Sequence, residues 1–205
     1  MRVLGIDPGL TRCGLGVVDV ARNRDAVLVH VSVVTTSPDL PLEERLLLVA
    51  EGIRLVIDEH RPDSMAVERV FAQHNVRSVM GTAQVSGIAL LAAAQSSLPV
   101  GLHTPTEVKA AITGYGQADK RQVGTMVSKI LRLSSIPKPA DAADALALAL
   151  CHAWRTPYEV AAPVGPSADP DAVAAVNATL TPAQSAWRAA EQHAARRVPA
   201  RRLAR

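Results

Sequence analysis

Four carboxylates in this chain stand inside apolar runs, where soluble proteins seldom place a charge. Asp7 lies in RVLGIDPG, Glu68 in SMAVERVF, and Asp141 and Asp144 in KPADAADALALAL. A carboxylate withdrawn from water is costly unless it is paired or bound to a metal. Acids embedded in three separate core segments point to a fold that makes them converge. With no His or Cys partner nearby in sequence, the donor set is all oxygen, which suits hard cations such as Mg²⁺ or Mn²⁺. Phosphate chemistry is therefore the first functional expectation.

Each acid also has an ordinary structural explanation. Asp7 precedes Pro8-Gly9, which supplies turn chemistry. Strand alternation puts Asp7 on one face with Gly5, opposite Leu4 and Ile6, and Gly5 and Gly9 leave room for a ligand to approach the backbone. Glu68 fits an acid on an edge strand, or a partner of Arg69 or Arg45. Asp141 and Asp144 are three apart at a helix start, which puts them on one face. Acids there suit the helix dipole, yet two like charges on one face repel. A bound divalent cation would offset that repulsion.

The bulk composition limits the alternatives. Of 205 residues, 48% are hydrophobic but only 2% aromatic, so Val, Leu, Ile and Ala must fill the core. The net charge of +3 permits a polyanionic partner without requiring one. Residues 1–155 hold 16 Lys and Arg against 15 Asp and Glu, so a nucleic-acid surface has to come from local arrangement. Cys13 and Cys151 form no metal or redox motif and read as reduced core thiols of a cytosolic protein. No signal peptide is expected, because Asp7 interrupts the first apolar run. Residues 78–102 carry no charge, but Gln84, Ser86, Gln95, Ser96, Ser97 and Pro99 dilute them too far for a membrane span. These readings together predict a cytoplasmic protein with no membrane partner.

Along the chain, residues 2–7, 14–20 and 26–35 read as three strands of an antiparallel meander. Leu42, Leu46, Val49, Ile53 and Ile57 then recur at helical spacing, with Glu43 and Glu44 near the helix start. Residues 64–70 predict a fourth strand, 75–97 a long helix and 99–103 a fifth, short strand. Thr104 with Glu107 three residues on resembles a capped helix start, and Gly114-Tyr115-Gly116 breaks that helix. Further helices follow over 119–133 and 139–154. This order predicts an α/β domain over 1–155, a mixed five-stranded sheet flanked by helices. Residues 156–205 read as an Ala/Pro-rich linker, a short helix over 181–195 and a flexible basic tail.

Here the motifs add to the residues. LGIDPGLTRCGLGVV, AVERVFAQHN, GTAQVSGIAL, TPTEVKAAITGYGQADKRQV and ADAADALALAL occur in order and nearly cover residues 1–155. They resemble the RNase H-like nuclease superfamily and, within it, the bacterial Holliday junction resolvases of the RuvC type. The resemblance implies four catalytic, metal-binding acids at Asp7, Glu68, Asp141 and Asp144. Asp7 would bridge the metals, Glu68 and Asp141 would each complete a coordination shell, and Asp144 would be a ligand or a base behind the ligands. Some relatives carry His where this chain has Asp141. It further implies two Mg²⁺ per subunit, replaceable by Mn²⁺, and nicks that leave 5′-phosphate and 3′-hydroxyl ends.

The same resemblance implies that Phe71, the only Phe in the chain, stacks on a base beside the scissile phosphate. Lys109 and Lys120 match family lysines near the cleaved strand, flanking the TGYGQAD loop, and Lys pairs with phosphate as a point charge. Arg69, Arg77 and Arg121 are further candidate DNA contacts, whereas His74 and His103 read as structural. A four-way junction needs two matched nicks, which a homodimer supplies, with the helix over 75–97 as candidate interface. RuvA and RuvB, the branch-migration complex, are the implied protein partners. Two other readings remain beside this one. GIDPG also resembles the first phosphate loop of actin-like ATPases and sugar kinases, which need a second related domain. A related nuclease of the YqgF type, acting on pre-16S rRNA, is the other.

Overall fold

The structure, a computed structural model, describes residues 1–69 and 76–156, with residues 76–78 described by backbone alone. Ten elements follow in the expected order. Strands β1 (Arg2–Asp7), β2 (Arg12–Val20) and β3 (Ala26–Thr35) precede helix α1 (Leu42–His60). Strand β4 (Ser64–Glu68), helix α2 (Val76–Gln95) and strand β5 (Val100–His103) come next. Helices α3 (Pro105–Thr113), α4 (Lys120–Ile130) and α5 (Ala140–Arg155) complete the described chain.

The sheet order is β3-β2-β1-β4-β5, with β1 at the centre. The first three strands form the antiparallel meander, while β4 joins β1, and β5 joins β4, in parallel. Ile6 is paired with Val67, so the next residues, Asp7 and Glu68, end their two strands side by side. The mixed five-stranded sheet is thus as expected, with small shifts at strand ends, β5 beginning at Val100 rather than at residue 99. β2 begins at Arg12 rather than at Gly14, because its ladder with β3 extends to the pair Arg12 and Thr35. β4 stops at Glu68 rather than at residue 70, where the Arg69 N–H already turns to the His103 carbonyl at 2.8 Å.

Strand alternation sorts the core into two layers. Leu4, Ile6, Leu15, Val17, Met65 and Val67 pack with buried residues of α1 and α2. Val3, Val18 and Ala66 pack on the opposite face with α3, α4 and α5. Helix α5 is buried along nearly its whole length, from Ala142 to His152 with Asp144 as the exception, as befits a helix apolar on all sides. Two glycines let it come that close. A Cβ on Gly5 would overlap the carbonyl oxygen of Ala145, and one on Gly14 that of Asp141. The backbone of α5 therefore lies directly on β1 and β2, with its first turn over the end of β1.

Local signals account for the helix ends that frame this region. Thr104 and Glu107 form the expected capping box, the Glu107 N–H donating to Thr104 Oγ1 at 3.2 Å and the Thr104 N–H to Glu107 Oε2 at 2.8 Å. Asp119 and Gln122 form a second box, so that Lys120 opens α4 in a fixed position. Gly114, at φ 76°, ends α3 in the left-handed region that favours glycine. Cys13 and Cys151 are buried and unbridged. No helix among the described residues is long and apolar enough to cross a membrane. The expected division at residue 156, the linker, the 181–195 helix and the basic tail lie outside the described residues.

Candidate active site

The carboxyl ends of β1 and β4 and the first turns of α5 meet at one end of the sheet. Asp7 and Glu68 come from the adjacent strand ends, and Asp141 and Asp144 from α5. Asp7, Glu68 and Asp144 line one cleft of about 280 Å³ together with Lys109 from α3 and Lys120 from α4. Pro105, Val108, Val123 and Leu148 supply its apolar walls. Asp141 lines the next groove instead, with Arg12 and Arg45.

The electrostatics differ within the four. Burial, then the charges of Glu68, Asp144 and Asp141, push the Asp7 carboxyl up to about 7, against a smaller opposing pull from Lys120. Burial and the Asp144 charge also raise Glu68, with Lys120 and Lys109 pulling it down. Neither strand acid has an ion pair among the described residues. Each helix acid has one: Lys120 Nζ lies 2.9 Å from Asp144 Oδ2, and Arg12 Nε lies 2.9 Å from Asp141 Oδ2. The bond to Asp144 holds the Lys120 ammonium above its ordinary value.

The alternatives weighed for these acids can now be placed. Arg45 does not pair with Glu68, because its guanidinium donates to the hydroxyls of Thr36 and Thr11, each at 2.9 Å. Only Asp141 of the α5 pair falls in the helix's first turn. As the side chains stand, no three His, Cys, Asp or Glu among the described residues are gathered closely enough to hold an ion. Arg12 and Lys120 each engage one helix acid. The chemistry of the cleft nonetheless fits a hard divalent cation. Its charged lining offers only carboxylate oxygens as ligands, and burial, then the charges of three other acids, pushes the Asp7 carboxyl up to about 7.

The remaining candidates divide. Lys109 and Lys120 share the cleft with the acids. Arg121 stands apart, in a separate hollow of about 510 Å³ lined also by Thr113, Tyr115 and Gln122. Consecutive residues on a helix diverge by about 100°, so the Lys120 and Arg121 side chains serve different surfaces. Arg69 is exposed just past β4. Phe71 and His74, and the side chain of Arg77, lie outside the described residues. His103 is buried and shares a 3.0 Å hydrogen bond with His152, the structural role expected of it. Arg12 was not singled out from sequence. One Arg two residues past a turn has no pattern of its own, and its partner lies 129 positions away.

The family model for crossover junction endodeoxyribonuclease RuvC matches residues 3–152. The crossover junction endodeoxyribonuclease RuvC of Leifsonia xyli subsp. xyli is 60% identical over 206 residues, covering 100% of this chain and 99% of the relative. Among solved structures, T. thermophilus RuvC in complex with Holliday junction substrate aligns with a TM-score of 0.71 and 41% identity, over 75% of this chain and 93% of that one. The yeast mitochondrial Holliday junction resolvase Ydc2, at 12% identity and a TM-score of 0.53 over 73% of this chain and 77% of its own, shares the fold. By the family match across the whole described domain and the end-to-end identity with a relative, the chain belongs to the RuvC family of crossover junction endodeoxyribonucleases.

Proposed function

We propose that the chain is a structure-specific endonuclease that resolves Holliday junctions in DNA recombination and repair, by paired, metal-dependent symmetric nicks. The observation that carries the reading is the cleft itself: three carboxylates and two lysines on one small surface, with the central acid pushed up to about 7. A purely structural acid cluster would gain nothing from leaving the partly buried Asp7 and Glu68 without ion pairs among the described residues. A site that binds divalent cations does gain from it.

Asp7, Glu68 and Asp141 would hold Mg²⁺, two ions per subunit with Mn²⁺ as a substitute, and Asp144 would be a ligand or a base behind the ligands. The chemistry bound Mg²⁺ supplies is activation of a water and neutralisation of charge on the scissile phosphate. The chain's own part is to bind and orient. Lys109 and Lys120 engage phosphates as point charges beside the acids. The low-dielectric walls from Pro105 to Leu148 strengthen those charges. Phe71 would stack on a base unpaired near the cut, with Arg69, Arg77 and Arg121 contacting the strand outside the cleft. The products would carry 5′-phosphate and 3′-hydroxyl ends.

The symmetric substrate calls for a homodimer. The side of the sheet away from the acids supports it. Met80, Leu90 and Leu91 of α2 and Leu47, Leu48 and Leu55 of α1 are exposed large apolar side chains on two helices that pack together. An apolar surface of this kind is a usual protein contact. RuvA and RuvB are the partners the family implies, and the cytoplasm is where such an enzyme meets the chromosome.

The test is cleavage of a synthetic four-way DNA junction with Mg²⁺ or Mn²⁺, with linear duplex and single-stranded RNA as controls. Two matched nicks in opposed strands, religatable by DNA ligase, are expected for the junction alone. Equal cutting of RNA or linear duplex would overturn the reading.

A further inference from the structure

The two helix acids are held alike, each by one cation 2.9 Å from its Oδ2, but the two cations belong to different surfaces. Lys120 lines the catalytic cleft. Arg12 lines the adjoining groove of about 450 Å³, with Leu10 and Thr11, Arg45, and Gly81 and Thr82 of α2. Its side chain is 58% exposed, whereas that of Asp141 is 21% exposed. Only its Nε bonds Asp141. A guanidinium carries five N–H donors in a planar fork, so four remain without a partner among the described residues.

Arg45 adds a second guanidinium to the same groove. Its bonds go to two neutral hydroxyls, and no acid pairs with it among the described residues. Two forked cations in one groove match the geometry of backbone phosphates. The groove also shares Asp141 with the acid cluster, so the carboxylate that would hold a metal is the one that now holds Arg12. Arg12 holds Asp141 through Oδ2 alone, so a divalent cation that takes both oxygens of that carboxylate displaces this one bond.

Resting on the junction-nuclease reading, we infer that Arg12 is a positioning residue with two stations. Without a divalent cation it holds Asp141. When a cation takes that carboxylate, Arg12 is released to a DNA backbone phosphate in the groove it shares with Arg45. The groove is then a second phosphate track, on the other side of the α5 start from Lys109 and Lys120, and its strength depends on metal occupancy.

Two measurements on the full chain test this, neither of them cleavage. The first is Mn²⁺ binding to the free protein by calorimetry. Arg12→Gln removes the competing partner and should tighten Mn²⁺ by about two- to fivefold, the weight of an exposed ion pair. The second is junction binding across a salt series, in EDTA and again with Ca²⁺ as the divalent probe. In EDTA, Arg12→Gln should match the unaltered chain. With Ca²⁺ it should weaken binding and lower the salt slope by about one, and Arg12→Lys should keep the slope. Arg45→Gln should lower the slope in both conditions, and Arg54→Gln, remote on α1, in neither.

Unchanged Mn²⁺ affinity in Arg12→Gln, or an equal loss of slope with and without Ca²⁺, would overturn the two-station role. Absence of any junction binding by the unaltered chain would instead overturn the functional reading. The Mn²⁺ arm, which needs no DNA, tells these two failures apart. Thermal melts of each variant exclude unfolding as the cause.

Discussion

The strand acids and the helix acids occupy the same end of the sheet under opposite regimes. Asp7 and Glu68 close two adjacent parallel strands, have no ion pairs among the described residues, and hold their protons more tightly than ordinary carboxyls. Asp141 and Asp144 ride on one helix, and each is matched by a basic side chain from another element. The difference teaches how a fold stores negative potential. Strand ends are fixed by the ladder and withdrawn from water, so burial first, and then repulsion between acids, raises their pKa. The helix acids have their charge offset by single cations reaching in from β2 and α4.

The sharpest way to break this comparison is to neutralise one acid of each kind. Asp7→Asn should cut junction cleavage at least about a thousandfold, roughly 4 kcal/mol of transition-state stabilisation, with junction binding in EDTA retained. Asp144→Asn should lose less, on the order of 10–100-fold, a smaller share on the same scale. Initial rates on a labelled junction measure both, and equal losses would erase the distinction.

Stability should move the other way. The folded Asp7 carboxyl titrates near 7 and the unfolded one near 3.8. Between these values the native state binds more protons than the unfolded chain, so stability falls as pH rises through the window. The cost is complete above pH 7. Asp7→Asn should therefore raise stability at pH 8 in EDTA, by at most roughly 4 kcal/mol, with no gain at pH 3.5. Urea denaturation at both pH values checks it, and a gain of equal size at both would sink the explanation.

The far end of α5 provides an internal control. His152 is buried against His103, and burial, then the His103 charge, lowers it to about 4. Here the unfolded chain binds the extra proton, so stability should decline as pH falls from about 6.5 to 4, by at most roughly 3 kcal/mol. His152→Gln should flatten that decline. A retained slope would assign acid sensitivity elsewhere.

The smallest effect expected is that of Lys120→Ala. It should lower the salt slope of junction binding by about one phosphate contact. An unaltered slope would confine Lys120 to holding Asp144.

Much of this was legible in the chain itself, for reasons that differ by element. β-branched runs and helical spacing reveal the ten elements, since each reflects a repeating choice between core and solvent. The Thr104 box was legible because both of its members are local in sequence. The strand order was not, because nothing local in residues 64–68 says that they pair with β1 in parallel. The acids were legible as a group through their apolar settings. Their unequal pairing was not. It depends on Arg12 and Lys120, which meet α5 only after the chain has folded across 129 and 24 positions. The separation of Arg121 from the cleft was not legible for a related reason. Its neighbour in sequence reaches the cleft, and one helical step turns Arg121 to another hollow.

The close seat of α5 on Gly5 and Gly14 has a consequence for how the molecule can drift over evolutionary time. The spacing between the strand acids and the helix acids is gauged by main chain against main chain, with no side chain in between. Exchanges of Val, Ile or Leu in the α1 and α2 layer alter volumes on the far face of the sheet and leave that gauge untouched. The hydrophobic core on that side is free to be rewritten, while a single added methyl at Gly5 or Gly14 would reset the distance on which the chemistry depends.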